Sequence, residues 1–176
     1  ASLGVPVFKM SGKGLGFSGG TIDKLSSIPN FTTEISMDKA KEFVKKSNIV
    51  LMSQSENLAP ADKIFYALRD ATGTVENIPL IISSILSKKF ATGSDAIVFD
   101  VKCGKGAFMK DLDSARKLAD GLISISRKFN KKAVAVISSM NQPLGNYIGN
   151  SLEVMEAIEV LKGNVKGDLL EISAVL

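Results

Sequence analysis

Ala96-Ile97-Val98-Phe99-Asp100-Val101 is apolar at every position but one. Such a run suits a central strand covered on both faces of a parallel sheet. A glycine loop, Lys102 to Lys110, follows it. Next comes an amphipathic stretch from about Asp111 to Asn130, with Leu112, Ala115, Leu118, Leu122 and Ile125 on one helical stripe. Ala133-Val134-Ala135-Val136-Ile137 then reads as a second strand of the same buried type.

Reading outward, the alternation continues. Val5 to Met10 reads as a strand, and Ser11 to Gly20 as a glycine-dense loop. Thr21 to Leu25 reads as a short helix stopped near Pro29. Ser36 has the chemistry of an N-cap for the helical run through Val44, and Asn48 to Met52 forms the next strand. Pro60 opens a helix reaching about Asp70, and a second runs from about Glu76 to Phe90 with Pro79 in its first turn. Gly93 is placed to stop it. Downstream, the loop Ser138–Gly149 precedes a helix from about Ser151 to Leu161, with Asn150 and Glu153 at capping-box spacing. A last helical segment begins near Asp168. Strands alternating with helices predict an α/β fold with a mainly parallel sheet flanked by helices. The consecutive helices within residues 59–91 interrupt the alternation and read as an inserted helical pair forming a sub-lobe.

The bulk properties narrow the function. The 176 residues suit a single domain with a real core. The net charge of +4 is mixed along the chain, with no basic tract of the kind that marks a nucleic-acid protein. There is no histidine, which excludes a histidine triad or histidine metal site within this chain. The single cysteine, Cys103, excludes an internal disulfide and fits a cytoplasmic setting. No apolar run is long enough for a membrane helix. The chain opens on Ala1 without an initiator Met and runs directly into apolar sequence, as a cut within a longer polypeptide would.

Two loops have the composition for chemistry. Ser11-Gly12-Lys13-Gly14-Leu15-Gly16-Phe17-Ser18-Gly19-Gly20-Thr21 places five glycines in eleven residues, with hydroxyls at Ser11, Ser18 and Thr21. Its backbone can approach a ligand closely, and phosphate is the natural guess; a plain turn is the alternative. It is no Walker A loop, since no Gly-Lys-Ser/Thr stands at the helix start. The second loop, Lys102 to Lys110, leaves the carboxyl end of a strand, the edge at which open α/β sheets bind ligands. Phe108 there covers either a flat ring or the core. Arg69 interrupts an apolar helical stretch and needs an acid such as Asp70 or a ligand carbonyl. Ser84 and Lys88 share a helix face. Asp95, Asp100, Asp111 and Asp113 fit no tight metal motif, and Asp111 reads as a helix cap.

Taken together, these residues resemble the thymidine/pyrimidine-nucleoside phosphorylase family. The first loop is similar to the signature Ser-Gly-Arg-Gly-Leu-Gly-x-x-Gly-Gly-Thr-x-Asp-Lys-Leu. The pattern continues through Leu58-Ala59-Pro60-Ala61-Asp62-Lys63, Tyr66-Ala67-Leu68-Arg69-Asp70, Ile78-Pro79-Leu80-Ile81 and Ser87-Lys88-Lys89. It extends to Asp100-Val101-Lys102, Gly106-Ala107-Phe108-Met109-Lys110, Met140-Asn141-Gln142-Pro143-Leu144-Gly145 and Asn150-Ser151-Leu152-Glu153-Val154. The resemblance implies the catalytic fold of nucleoside phosphorylases and phosphoribosyltransferases. It also implies reversible phosphorolysis of thymidine, uridine or deoxyuridine to a free base and a pentose 1-phosphate. Inorganic phosphate is then a co-substrate held by Ser11 and Thr21, with no organic cofactor. Arg69, Ser84 and Lys88 hold the pyrimidine, Arg69 and Lys88 acting catalytically. Leu15, Ile81 and Phe108 wall the base. The resemblance further implies a monovalent cation, K⁺ in bacterial members, at the backbones of Leu144 and Tyr147 and at Glu156. The full-length parent is implied to be a homodimer.

Departures qualify the match. Lys13 stands where the signature has Arg, and Phe17 where His is common. Cys103 and Lys105 replace commoner small or apolar residues. Nothing matches the family's upstream Lys-His-Ser-Thr-Gly-Gly segment or its C-terminal α+β portion. The chain is therefore expected to be inactive alone, and its helical pair to expose an apolar face. An anthranilate-type phosphoribosyltransferase, which would need Mg²⁺, and a non-catalytic binding or oligomerisation module are the alternatives.

Overall fold

Strand β1 (Val7–Ser11) lies parallel to β2 (Ile49–Ser53), with Val7 opposite Ile49 and Ser11 opposite Ser53. The computed structural model describes residues 1, 3–14, 19–53 and 58–176, with only the backbone of Asp70. Between the two strands run α1 (Thr21–Leu25) and α2 (Met37–Ser47). Ser36 caps α2 by accepting from the Lys39 amide at 3.3 Å, as its position predicts. Asn48, in the left-handed conformation, turns the chain out of α2 into β2. Met10, Ala40, Val50 and Met52 form a small core between α2 and this ladder.

The second ladder pairs β3 (Ala96–Cys103) in parallel with β4 (Lys132–Ser139) across α5 (Leu112–Lys128). Upstream lie α3 (Pro60–Ala71) and α4 (Ile78–Ala91). Asn77 caps α4 through the Leu80 amide at 3.2 Å, with Pro79 in the first turn, and Gly93 follows its end at φ 74°. Helices α4 and α5 pack on one face of β3–β4. Ile81, Ile82, Leu86, Ile97, Phe99, Val101, Leu118 and Leu122 make the larger core there. Gly121 of α5 is a notch for α4: a β-carbon there would stand 2.5 Å from Ile82 Cδ1. The architecture is α/β with parallel strands flanked by helices, as the alternation predicts.

Two local expectations need correction. β3 and β4 are not covered on both faces: Val98 and Val134 are 50% and 57% exposed, because α4 and α5 cover only the odd-numbered residues. β3 also runs on through Lys102 and Cys103, which the sequence assigns to the loop. Pairing continues because Lys102, Asp100 and Ser138 satisfy one another on the uncovered face, with contacts of 2.6–2.9 Å.

Helices α6 (Asn150–Leu161) and α7 (Asp168–Val175) complete the chain, and α6 packs on α1. Asn150 is not the cap of α6. Gly149 holds that position at φ 131°, and Glu153 reaches its amide at 3.4 Å, so the motif is shifted by one residue and lacks a capping side chain. Helix α3 packs on α4 and presents Ile64, Phe65 and Leu68 outward, an exposed apolar face of the kind expected. Among the described residues, no helix is long and apolar enough to cross a membrane.

Candidate active site

Asp62, Tyr66 and Arg69 stand at i, i+4 and i+7 of α3, hence on one face; Ser84 and Lys88 stand at i and i+4 of α4, facing them. The two helices bring these side chains together. The Lys88 ammonium donates to Asp62 Oδ2 at 2.6 Å and to Ser84 Oγ at 2.8 Å. Tyr66 lies beneath both cations, its ring centroid 5.4 Å from Lys88 Nζ and 5.7 Å from Arg69 Cζ. Such ring contacts favour a desolvated cation. Asp62, Tyr66, Arg69, Leu80 and Ser84 line a cavity of about 230 Å³.

Arg69 binds main-chain carbonyls of the turn between α3 and α4. Its Nη1 donates to the Leu80 carbonyl at 3.5 Å and its Nη2 to the Val75 carbonyl. The guanidinium thus ties the end of α3 to the start of α4. Its Nε is buried without a hydrogen-bond partner. An unmade bond of this kind costs about 1–3 kcal/mol, so a ligand acceptor reaching Nε would recover it.

The remaining expected residues are more scattered. Ile81 lies in the main core, 8% exposed, between α4 and the sheet. Phe108 is 56% exposed on the second glycine loop. That loop is held by main chain. Gly104 donates to the Met109 carbonyl and Gly106 to the Met140 carbonyl, each at 2.9 Å, and Met140 returns a bond to Cys103 at 2.7 Å. Lys105 N–H reaches Asn141 Oδ1 at 3.1 Å.

Ser11 ends β1 and Thr21 begins α1, so they flank the first glycine loop; Leu15 lies outside the described residues. The Asp23 carboxylate closes this loop, accepting from Gly14 N–H at 2.7 Å and Gly20 N–H at 2.9 Å. These amide bonds hold its carboxyl below the usual aspartate range. Lys24 beside it pairs with Glu153 of α6 at 2.7 Å.

Glu156 is 4% exposed. It accepts from the amides of Asn146 at 2.8 Å and Tyr147 at 3.2 Å. Gly145 makes room for it, since a β-carbon there would be 2.2 Å from Glu156 Oε2. The Glu156 carboxylate and the main-chain carbonyls of Leu144 and Tyr147 are hard oxygen donors, the type a hard cation takes. Among the described residues, no group of three His, Cys, Asp or Glu gathers as a metal site. Asp111 caps α5 through the Ser114 amide at 2.8 Å, as expected. Lys89, half-buried beside Lys88, has its amine pushed below the usual lysine range by burial and then by the charges of Lys9 and Lys88.

Asp62, Tyr66 and Asp23 are the residues that motif reading names without a role. The helical spacing Asp62–Tyr66–Arg69 was the available signal.

Comparison with known proteins identifies the family. The profile of the family described as "Glycosyl transferase family, a/b domain" matches residues 1–176. A pyrimidine-nucleoside phosphorylase of Geobacillus stearothermophilus is 57% identical over all of this chain and 41% of its own length. Proteins of the same name from Staphylococcus epidermidis and Staphylococcus aureus are 56% and 54% identical over 98% of this chain and 40% of theirs. The chain spans about two-fifths of the length of these relatives.

Proposed function

We propose, from the premise that this chain belongs to the glycosyl transferase family through its a/b domain, that it carries the pyrimidine-binding part of a pyrimidine-nucleoside phosphorylase. The observation that supports this best is that Arg69 and Ser84 line one cavity and Lys88 donates to Ser84 beside it. In the proposed reaction an oxygen of inorganic phosphate attacks C1′ of the nucleoside. The C1′–N bond breaks, its electron pair leaves with the base, and a pentose 1-phosphate forms. Charge then grows on the base. Lys88, Ser84 and the unpartnered Nε of Arg69 are donors that stabilise it, an electrostatic contribution that dominates many enzymes. Ser11 and Thr21 bind the phosphate in this reading. Leu15, Ile81 and Phe108 serve as apolar walls, Ile81 through the core behind Ser84. No organic cofactor is called for.

A monovalent cation held by Glu156 and the carbonyls of Leu144 and Tyr147 belongs to the same proposal, supplying order to the loop before α6. So do a homodimeric parent and a cytoplasmic setting.

The test is phosphate-dependent release of uracil or thymine from uridine and thymidine. The chain alone is expected to be silent, and the polypeptide extended to its relatives' full length active. In the extended protein, Lys88→Ala should lower kcat/KM by roughly 10²–10³. Silence of the extended protein overturns the function.

A further inference from the structure

Lys88 does not stand by itself in the site. Its ammonium is fixed between two oxygens, Asp62 Oδ2 at 2.6 Å and Ser84 Oγ at 2.8 Å. The Asp62 side chain is only 5% exposed and that of Lys88 16%. A buried ion pair is costly to desolvate, and apolar residues in place of both partners are often neutral or stabilising for a fold. Its placement here buries a charge on α3 to meet one on α4, at the wall of the cavity both helices line. The Tyr66 ring, 5.4 Å from Lys88 Nζ, limits the direction from which the ammonium is approached.

We propose that Asp62 is a positioning residue of the pyrimidine site, acting through Lys88. This rests on the functional reading above. The carboxylate holds Nζ beside Ser84 Oγ, so that the lysine's remaining proton and the serine hydroxyl present paired donors to one edge of a planar heterocycle. Free lysine is a flexible donor with no preferred direction, and an acid at its head supplies the orientation that a guanidinium has by construction.

The experiment follows uracil binding to the full 176-residue chain by isothermal titration at neutral pH, with Asp62→Asn, Asp62→Glu and Lys88→Met. Asp62→Asn keeps the shape and removes the charge. It is expected to weaken uracil at least tenfold, and Asp62→Glu should restore the affinity in part. A purely structural Asp62 would lower the unfolding midpoint and leave the affinity of the folded variant in place, which overturns the inference. If Lys88→Met abolishes binding while Asp62→Asn leaves the affinity unchanged, the inference fails and the functional reading stands. If uracil binds the unmodified chain and Lys88→Met equally, the site assignment fails, and no binding by the unmodified chain sinks both. Should Asp62→Asn not fold, the unmodified chain decides: Lys88 ¹⁵Nζ should show slowed hydrogen exchange and a coupling across the hydrogen bond to the Asp62 carboxyl carbon. Fast exchange with no coupling overturns the pairing.

Discussion

The two glycine loops have similar compositions and are held in different ways. The second, after β3, is bonded main chain to main chain and seats Ala107 and Met109 in the interior, 6% and 5% exposed. In the first, after β1, the described residues Gly14 and Gly20 are joined through one carboxylate, Asp23. A loop stitched by backbone is part of the core and fails only with it. A loop closed by a titratable side chain can open while the domain stays folded. Glycine content therefore marks where the backbone comes close, and the fastener decides how rigidly it stays there.

The contrast can be broken at its stronger end first. Met109→Ala should cost about 2–5 kcal/mol in chemical denaturation, as for a buried side chain of this size. A loss near zero would mean the second loop is not part of the core. Gly104→Ala should cost about 1–3 kcal/mol, because Gly104 sits at φ 132° with Asn141 Oδ1 2.6 Å from the would-be β-carbon.

The first loop should respond locally. Asp23→Asn should speed amide exchange at Gly14 and Gly20 and leave Gly104 and Gly106 unchanged. In the unmodified chain the sign follows from a carboxyl held below its unfolded value. The contribution is full above the ordinary aspartate range and is lost as pH falls through the lower, folded value. Loop opening should therefore increase in acid, measured by exchange or proteolysis at the loop, and this acid dependence should be absent from the Asn variant, in which the loop is loosened at every pH. The smallest effect belongs to the Lys24–Glu153 pair, about a third exposed on each side. Glu153→Gln should cost roughly 0.2–1 kcal/mol, less at high salt.

Much of the fold was legible because periodicity carries it. The β3–loop–α5–β4 run and the caps at Ser36 and Asp111 are local signals, and local chemistry decides them. What was not legible depends on other parts of the fold. The one-sided cover of β3 reflects where α4 lies, and the displaced cap of α6 reflects the backbone at Gly149. In the site, Arg69, Ser84 and Lys88 stood out through family resemblance more than through spacing. The carbonyls that Arg69 binds, six and eleven residues further on, depend on the turn between two helices, which no residue type announces.

The notch at Gly121 sets a vernier. With Ile82 seated in it, α4 has one stagger along α5, and Ser84 and Lys88 ride on α4 two and six positions further along. The ruler on which the site is graduated therefore lies in the hydrophobic interior. Random mutagenesis selecting for altered handling of the base should find hits at positions such as 121 and 82, neither of which lines the cavity.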